Sequence, residues 1–464
     1  MNFGAKVLDK SMNPLSGIDT TPESNPSNNP DKFADPSGEK MKALQWEGKN
    51  NVTVAEALKP TVVDPHDVVL KVTGTTVCGS DMHLLHGAII ELEKGDILGH
   101  ECMGIVESVG PDVKDIKVGD RVTASFNIGC GECFMCKKKL SSACTKTNSS
   151  SLMNAMYGGR ICGILGYSHF AGGFAGGQAE YVRIAHGDAN LLKIPDSVPD
   201  EDALYLSDIL VTSYHQVEDS GVKKGDIVGI WGCGAIGLMA AKWSILKGAS
   251  RLILVDNVQW RLENVVEKMR ATGHPDIPID IINFSEVKNV PAAIHELTKP
   301  GTHGLDPTRP AGLDVALECA AGEYAKGIAH KIELALGLET DTSEIVNELI
   351  ESTISYGTVG VTGVYAGYTN HFNIGSVMQR GIRFIGNGQA PCHMHMPTVL
   401  ERYLVPGIVK PRELFVSHRI AMEDVAKCYY EMDKKDPQVK MVKPFVATRF
   451  SSPPAPGAPQ LTKL

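Results

Sequence analysis

The sequence predicts an α/β fold with two domains, a β-rich domain and a doubly wound parallel sheet covered by helices. Short β-branched runs such as "VVLKVTGTTV" and "DRVTAS", separated by glycine and aspartate, fill residues 41–205 and favour the β-rich domain. From Ile227 onward, apolar strand-like runs alternate with helical stretches, and this alternation is typical of a parallel sheet. The chain has 464 residues, 43% of them hydrophobic, which is enough apolar mass for two cores.

Bulk composition excludes several classes of partner. The formal net charge is -9 and no long basic block occurs, so we expect neither nucleic acid nor a membrane surface as a partner. The longest apolar stretch, "IVGIWGCGAIGLMAA", is too short to span a bilayer and is broken by glycines. The first residues, "MNFGAKVLDK", lack the apolar core of a secretory signal and the Arg-rich pattern of a presequence. The expected location is the cytoplasm.

Composition also divides the chain into five predicted segments. Residues 1–40 are rich in Pro, Ser, Asn and Asp and are expected to form a flexible tail, as are residues 451–464. Residues 41–206 form the predicted β-rich domain and residues 207–387 the parallel-sheet domain. Residues 388–450, which include the helical stretch "MPTVLERYLV", are expected to return to the first domain.

The parallel-sheet domain can be placed element by element. "DIVGIWG" and "RLILVD" are strand-like runs, and "AIGLMAAKWSILKG" between them is a helical stretch. Further strands are predicted at "IDIINF", "GLDVALECA", "TVGVTGVY" and "IRFIGNG". Helical stretches at "VPAAIHELT" and "SEIVNELIESTISYG" connect them, as a doubly wound sheet requires.

A glycine pattern lies between the first strand and the first helix of this domain. Gly232, Gly234 and Gly237 form G-x-G-x-x-G, the fingerprint of a Rossmann domain that binds a dinucleotide at the helix N-terminus. Asp256 ends the next strand, where a carboxylate binds the adenosine ribose and would repel a 2′-phosphate, so NAD is predicted rather than NADP. The other predicted cofactor-binding residues are Ala235, Ile236 and Arg261. The alternative is a glycine-rich turn without a cofactor.

The eleven cysteines do not predict a disulfide framework, because their number is odd and no secretory signal is visible. Four of them have the spacing C-x2-C-x2-C-x7-C, which suits a closed, tetrahedral structural zinc site. These four are Cys130, Cys133, Cys136 and Cys144. An iron–sulfur cluster and a redox-active CxxC pair are the alternatives.

The order of these motifs resembles that of the zinc-dependent medium-chain alcohol dehydrogenases over about residues 41–448. The resemblance rests on "VCGSDMHLLHG", "GHECMG", the four-cysteine lobe and the glycine fingerprint. It implies a GroES-like catalytic domain in which Cys78 and His100 bind a catalytic zinc, in addition to the structural zinc. Asp208 in "LSDIL" stands where typical members have a second cysteine ligand. That stretch and "GGFAGGQAEYVRI" are similar to the glutathione-independent formaldehyde dehydrogenases and formaldehyde dismutases.

The resemblance implies oxidation of a small alcohol or an aldehyde hydrate, with hydride transfer to NAD. Ser80 and His83 match the proton relay of the family. Asp81 and Glu101 adjoin the expected ligands and are predicted to act next to the metal, Glu101 as a catalytic residue; ordinary solvated carboxylates are the alternative. A larger alcohol or polyol as substrate, or a non-catalytic NAD-binding role, are the alternatives. The resemblance also implies a homodimer or homotetramer.

Two further stretches have no such explanation in the family pattern. Residues 322–342 lengthen the connection after the fourth strand of the Rossmann domain. The pair His393 and His395 in "APCHMHMP" is expected to line a cleft or loop rather than to bind metal.

Overall fold

The computed structural model describes residues 18–302, 304–320, 342–365, 367 and 369–464. The chain divides into two compact units, of which unit 1 comprises Met1–Val211 with Pro391–Leu464 and unit 2 comprises Thr212–Ala390. The boundaries expected from the sequence fall a few residues earlier, at 206 and 387. The lengthened connection at 322–342 lies, up to residue 341, outside the described residues.

The described strands are numbered in chain order. They are β1 (Lys40–Gly48), β2 (Asn51–Leu58), β3 (Val68–Thr75), β4 (Cys102–Val109), β5 (Arg121–Ala124), β6 (Asn127–Ile128), β7 (Gly163–Ile164), β8 (Tyr181–Ile184), β9 (Leu191–Lys193), β10 (Ile227–Trp231), β11 (Arg251–Asp256), β12 (Ile279–Asn283), β13 (Leu313–Glu318), β14 (Thr353–Val361), β15 (Arg383–Gly386), β16 (Val416–Ala421), β17 (Lys443–Ala447) and β18 (Leu461–Thr462).

The described α-helices follow the same numbering. They are α1 (Pro30–Phe33), α2 (Gly79–Leu85), α3 (Phe134–Lys137), α4 (Ser151–Tyr157), α5 (Gly187–Asn190), α6 (Asp200–Ala203), α7 (Ile209–Asp219), α8 (Ala235–Leu246), α9 (Gln259–Ala271), α10 (Val290–Leu297), α11 (Glu344–Ser352), α12 (Ile374–Gln379), α13 (Cys392–Val399), α14 (Pro411–Leu414) and α15 (Val425–Lys434). Among the described residues, none of these helices has the length and apolar character needed to cross a membrane.

Unit 1 is built on a largely antiparallel sheet. Its described strands have the order β18-β16-β17-β3-β4-β5-β9, and β8 pairs with β3. Val68, Leu70 and Val72 alternate toward a buried core that also contains Val122 and Val182, which is why β-branched residues dominate these strands. β16 and β17 come from the end of the chain and pair in parallel, so the C-terminal segment does return to this domain.

Unit 2 contains a six-stranded sheet of described strands in the order β12-β11-β10-β13-β14-β15, and every pairing in it is parallel. The order reverses between β10 and β13, so the sheet is doubly wound. β10 and β11 are buried along their whole length, as strands covered by helices on both faces must be. The predicted fold class is confirmed.

Residues 18–40 and 451–464 differ from the flexible tails expected from composition. From Ile18 onward the N-terminal segment lies against unit 1, where Thr21 donates from its N–H and its hydroxyl to the Asp64 carboxylate at 2.8 and 2.9 Å. Asn25 donates from its side-chain amide to the Gly95 carbonyl at 2.8 Å. At the other end, Leu461 pairs with Arg419 of β16. Composition shows too little apolar surface for a core, but these segments are ordered by hydrogen bonds to loops and strand edges.

Candidate metal centre and dinucleotide turn

Four side chains with metal-binding atoms meet inside unit 1. Cys78 lies at the N-cap of α2, His100 and Glu101 directly precede β4, and Asp208 directly precedes α7. Their ligand atoms all lie within 4.8 Å of one another. The Asp208 Oδ2 atom is 3.9 Å from Cys78 Sγ and 3.3 Å from His100 Nε2.

These separations suit a single ion. Bonds of about 2.0–2.3 Å in a tetrahedron place the ligand atoms roughly 3.3–3.8 Å apart. The donor set, a thiol, an imidazole and a carboxylate, is also one that zinc accepts. The structure thus brings together the three residues that the resemblance implied as ligands, and the group fits a zinc ion.

A buried carboxylate orients two of the ligands. Asp81 Oδ2 accepts a hydrogen bond from the Cys78 backbone N–H at 2.9 Å, and Asp81 Oδ1 lies 3.3 Å from His100 Nδ1. Because Nδ1 faces a carboxylate, the neutral imidazole keeps its proton on Nδ1, and its Nε2 lone pair, on the side of Asp208, is then available to a metal ion. The neighbouring acids raise the pKa of His100 well above its usual value, against the opposing effect of burial.

Glu101 has a partner that the sequence did not indicate. Its Oε1 atom lies 3.8 Å from His100 Nε2 and forms an ion pair with the Lys443 ammonium. Both side chains are 1% exposed. Burial raises the pKa of Glu101, and the Lys443 charge limits the rise. The pair is buried beside the ligand cluster, so Glu101 is not an ordinary solvated carboxylate. No local pattern around Lys443, in a strand of the returning segment, could have suggested this contact.

The expected relay residues lie on one helix. Ser80 and His83 are three residues apart in α2, so their side chains project from the same face. Ser80 Oγ lies 3.5 Å from His100 Nε2, beside the ligand cluster. His83 is buried one turn further along and is not part of that cluster.

Two aromatic rings flank His100, and the sequence analysis did not single out either. Phe126 and Tyr167 meet the imidazole edge-on, with ring centroids 6.3 and 5.7 Å away. Burial raises the pKa of the Tyr167 phenol, against the opposing effect of the Ser80 hydroxyl. The rings form an apolar wall next to the metal-binding atoms.

The four-cysteine lobe forms a second group. Sγ of Cys130 lies 4.0 Å from that of Cys136, and Sγ of Cys133 lies 3.9 Å from that of Cys144. A disulfide would bring sulfurs to about 2.05 Å, whereas a tetrahedron with bonds of about 2.3 Å has edges of about 3.8 Å. All four thiols are free and buried, and the Cys130 N–H points at the Cys144 sulfur at 3.4 Å. The lobe therefore fits one metal ion in a closed, tetrahedral site.

The two histidines of "APCHMHMP" lie in α13 rather than in a loop. His393 packs beside the lobe, because a Cβ on Gly129 would lie 2.8 Å from its Cε1 atom and 3.3 Å from Cys136 Sγ. Burial lowers the pKa of His393 to about 4. Neither His393 nor His395 belongs to a metal-binding group among the described residues.

Unit 2 carries the glycine fingerprint in the turn from β10 to α8. Gly232 has φ +90°, and a Cβ there would lie 2.8 Å from the Cys319 carbonyl oxygen. A Cβ on Gly237 would lie 1.8 Å from the Gly232 carbonyl oxygen. Gly234, the N-cap of α8, has open space where its Cβ would stand. The first and third glycines thus permit the turn, and the second leaves the helix N-terminus accessible to a phosphate.

Asp256 lies at the end of β11, beside this turn. Its two carboxylate oxygens accept hydrogen bonds from the backbone N–H groups of Cys233 at 2.6 Å and Val258 at 2.8 Å. Each oxygen keeps a second lone pair for a ribose hydroxyl. Arg261 lies in α9 with its guanidinium over the Trp260 ring, 5.5 Å from its centroid. Ala235 and Ile236 open α8.

A β-rich unit with two metal-binding groups and a Rossmann unit with a dinucleotide turn together define the class of zinc-containing, nicotinamide-dependent dehydrogenases. Comparison with known proteins agrees with that class. Residues 64–196 match the alcohol dehydrogenase GroES-like domain. The chain is 38% identical over 409 residues to a zinc-type alcohol dehydrogenase-like protein of Schizosaccharomyces pombe, covering 88% of this chain and 92% of that protein. This chain belongs to the zinc-type alcohol dehydrogenase family.

Two further similarities concern the formaldehyde dehydrogenase branch of the family and the fold. The chain is 31% identical over 420 residues to a glutathione-independent formaldehyde dehydrogenase of Pseudomonas aeruginosa, covering 86% of this chain and 96% of that enzyme. The solved alcohol dehydrogenase TADH from Thermus sp. ATN1 superimposes with a TM-score of 0.69 at 29% identity. That match covers 88% of this chain and 100% of the solved chain.

Proposed function

We propose that this family member is a zinc- and NAD-dependent dehydrogenase that oxidises a small alcohol or an aldehyde hydrate of the formaldehyde type. The observation that carries the proposal is the Asp208 carboxylate in the cluster with Cys78 and His100. A carboxylate is a harder ligand than a thiolate and leaves a bound zinc more Lewis acidic. The similarity to a glutathione-independent formaldehyde dehydrogenase supports the substrate class.

The residues assigned to the metals follow from the two groups. Cys78, His100 and Asp208 would hold the catalytic zinc, and the second zinc would be held by Cys130, Cys133, Cys136 and Cys144. Zinc supplies Lewis acidity that polarises the substrate oxygen, and the nicotinamide accepts the hydride. The chain's own task is to position the ligands, exclude water and remove a proton.

The proton leaves through α2. The Ser80 hydroxyl, next to His100, accepts the hydroxyl proton of the substrate while it releases its own proton. His83, on the same helix face, receives it next, because an imidazole exchanges protons readily near neutral pH. Phe126 and Tyr167 pack against the His100 ring and place aromatic surface beside the ligands, and we propose that they restrict the site to a short substrate.

Unit 2 binds the cofactor. The α8 N-terminus at Gly234 binds the pyrophosphate, and the Asp256 carboxylate accepts hydrogen bonds from the ribose hydroxyls. Because the Asp256 carboxylate would repel a 2′-phosphate, NAD is the preferred cofactor. By resemblance to the family, the enzyme assembles as a homodimer or homotetramer, which sedimentation equilibrium would measure.

The test of the substrate class is NADH absorbance with zinc-loaded protein, added NAD, formaldehyde and no glutathione. Ethanol and longer alcohols run in parallel. Rapid NADH formation with formaldehyde supports the proposal. Turnover of longer alcohols without turnover of formaldehyde would overturn the substrate class while leaving the dehydrogenase assignment intact.

A further inference from the structure

A chain of buried hydrogen bonds runs from helix α15 of the returning segment to Asp81, whose carboxylate lies beside His100. The Tyr429 hydroxyl donates to Gln178 Oε1 at 2.7 Å. Gln178 Nε2 donates to the Thr76 carbonyl at 2.8 Å and to Asp81 Oδ2 at 3.2 Å. Asp81 in turn faces His100 Nδ1. Tyr429 and Gln178 are 0% exposed, so water does not compete with these bonds.

The Gln178 amide can take one orientation here. If the amide were turned over, its oxygen would face the Thr76 carbonyl and the Asp81 carboxylate, which are both acceptors. The Tyr429 hydroxyl supplies the donor that the Gln178 oxygen needs in the observed orientation. The two acceptors therefore select the orientation in which Gln178 presents an N–H to Asp81, and the Tyr429 hydroxyl stabilises that orientation by donating to the Gln178 oxygen.

That N–H fixes the plane of the Asp81 carboxylate. Oδ2 accepts from Gln178 and from the Cys78 backbone, so it is held from two sides. Oδ1 is left facing His100 Nδ1, and among the described residues neither of these two atoms has a hydrogen bond elsewhere. A carboxylate free to rotate would release the imidazole, and the Nε2 lone pair would lose its direction.

Gln178 also supports the backbone next to His100. Gly99 has φ +101°, and a Cβ there would lie 2.4 Å from Gln178 Cγ. The Gln178 N–H donates to the Leu98 carbonyl at 3.1 Å. The Gln178 side chain therefore supports the His100 ring through Asp81. Its main chain and its Cγ atom support the backbone at residues 98 and 99, which leads to His100.

We propose that Gln178 and Tyr429 are positioning residues of the catalytic metal centre, which lock Asp81 and through it the orientation of His100. The proposal rests on the assignment of His100 as a metal ligand. Without the Tyr429 hydroxyl, the Gln178 amide and the Asp81 carboxylate gain rotational freedom. The expected cost is roughly a tenfold loss of metal affinity at the Cys78–His100–Asp208 site, and up to about 100-fold without the Gln178 amide.

The experiment measures Co²⁺ binding by the full chain, following the visible absorption of each site while a chelator competes for the metal. Tyr429→Phe is expected to bind Co²⁺ about tenfold more weakly at the Cys78–His100–Asp208 site. Its Co²⁺ affinity at the four-cysteine site is expected to equal that of the wild type. Gln178→Met, of similar volume, is expected to give a larger loss at the same site. If Gln178→Met does not fold, Tyr429→Phe alone decides.

Tyr205→Phe is the matched control, because Tyr205 is equally buried and its hydroxyl donates to the Pro444 carbonyl at 2.9 Å. It is expected to lower stability without changing Co²⁺ affinity. Wild-type affinity in Tyr429→Phe, or an equal loss in Tyr205→Phe, would overturn the positioning role while leaving the proposed function intact. A wild-type protein that binds only the four-cysteine ion would overturn both.

Discussion

The imidazole Nε2 of His100 lies 3.3 Å from Oδ2 of Asp208, although His100 lies just before β4 and Asp208 just before α7. The contact sets a carboxylate at the position where the family typically has a thiolate. Asn has almost the same size and shape as Asp, so replacing this carboxylate tests its proposed role as a ligand with little change in packing.

Asp208→Asn replaces that carboxylate by a neutral amide of the same shape. We expect kcat/KM to fall by roughly 100-fold or more, because an amide is a poor zinc ligand, while the melting temperature changes little. Activity and circular dichroism of the zinc-loaded variant measure this. Asp306→Asn, an exposed carboxylate of unit 2, is the control. Full activity in Asp208→Asn would refute the assignment of Asp208 as a ligand.

Cys144→Ser removes one donor of the four-cysteine lobe. We expect loss of one zinc per chain and a decrease of roughly 4 kcal/mol in the free energy of unfolding, since the lobe has only a small core of its own. Metal analysis and urea unfolding measure the two effects. Cys428→Ser changes a buried thiol of another core and should retain both zinc ions. Unchanged zinc content in Cys144→Ser would contradict a closed metal site.

Glu23→Gln tests the buried carboxyl of the N-terminal segment. Burial raises the pKa of Glu23 to about 7, although Arg183 opposes the rise and Asp67 adds to it. The folded state therefore binds this proton more tightly than the unfolded state, whose pKa is about 4.3, and the contribution of Glu23 to stability falls between about pH 4.5 and pH 7.

Relative to wild type, Glu23→Gln should gain about 2–3 kcal/mol between pH 4.5 and pH 8, measured as the difference in free energy of unfolding. Glu56→Gln, an exposed carboxyl of β2, should show no such gain. Parallel pH profiles of Glu23→Gln and wild type would show that the carboxyl titrates normally.

Two alanine substitutions in the glycine fingerprint should separate folding from cofactor binding. Gly237→Ala places a methyl group 1.8 Å from the Gly232 carbonyl oxygen, so we expect a loss of roughly 2–4 kcal/mol in the free energy of unfolding. Gly234→Ala meets nothing within 4 Å and should fold normally. Its methyl group would instead obstruct the pyrophosphate and weaken NAD binding by roughly tenfold. NADH fluorescence titration measures cofactor affinity, and thermal unfolding measures stability. A destabilised Gly234→Ala, or a Gly234→Ala with wild-type NADH affinity, would contradict the proposed placement of the cofactor.

Asp256→Asn tests the choice of cofactor. Removing the negative charge should lower affinity for NAD and raise the ratio of NADP to NAD affinity by roughly tenfold, because the repulsion of the 2′-phosphate is lost. Equilibrium dialysis with both cofactors measures the ratio. Asp276→Asn, an exposed carboxylate of unit 2, serves as the comparison. A ratio equal to that of wild type would argue against ribose binding by Asp256.

The parts of the candidate site that spacing can predict are local patterns in the sequence. The glycine fingerprint and the four cysteines each lie within one short stretch, so spacing alone brings their atoms together. The cluster of Cys78, His100 and Asp208 joins distant stretches, and resemblance to the family, rather than any spacing rule, suggested it.

The parts that could not be predicted are contacts between stretches with no pattern of their own. Lys443 meets Glu101, and Tyr429 meets Gln178, only because the end of the chain returns to the sheet of unit 1. A lysine and a tyrosine in such positions are common in any sequence. Residues 18–40 were expected to be flexible for a related reason, since hydrogen bonds between backbones leave no compositional trace.

The N-terminal segment also determines where the folding unit begins. The Ile97 N–H donates to the Ser24 carbonyl at 3.0 Å, and the Ala175 N–H donates to the Glu23 carbonyl at 2.7 Å. A chain shortened to start at Met41, where the family pattern starts, would strip both donors of their acceptors next to His100 and Gln178. Each orphaned buried donor costs about 1–3 kcal/mol. Residues 18–40, which lie outside the family pattern, thus support the loops that lead to His100 and Gln178.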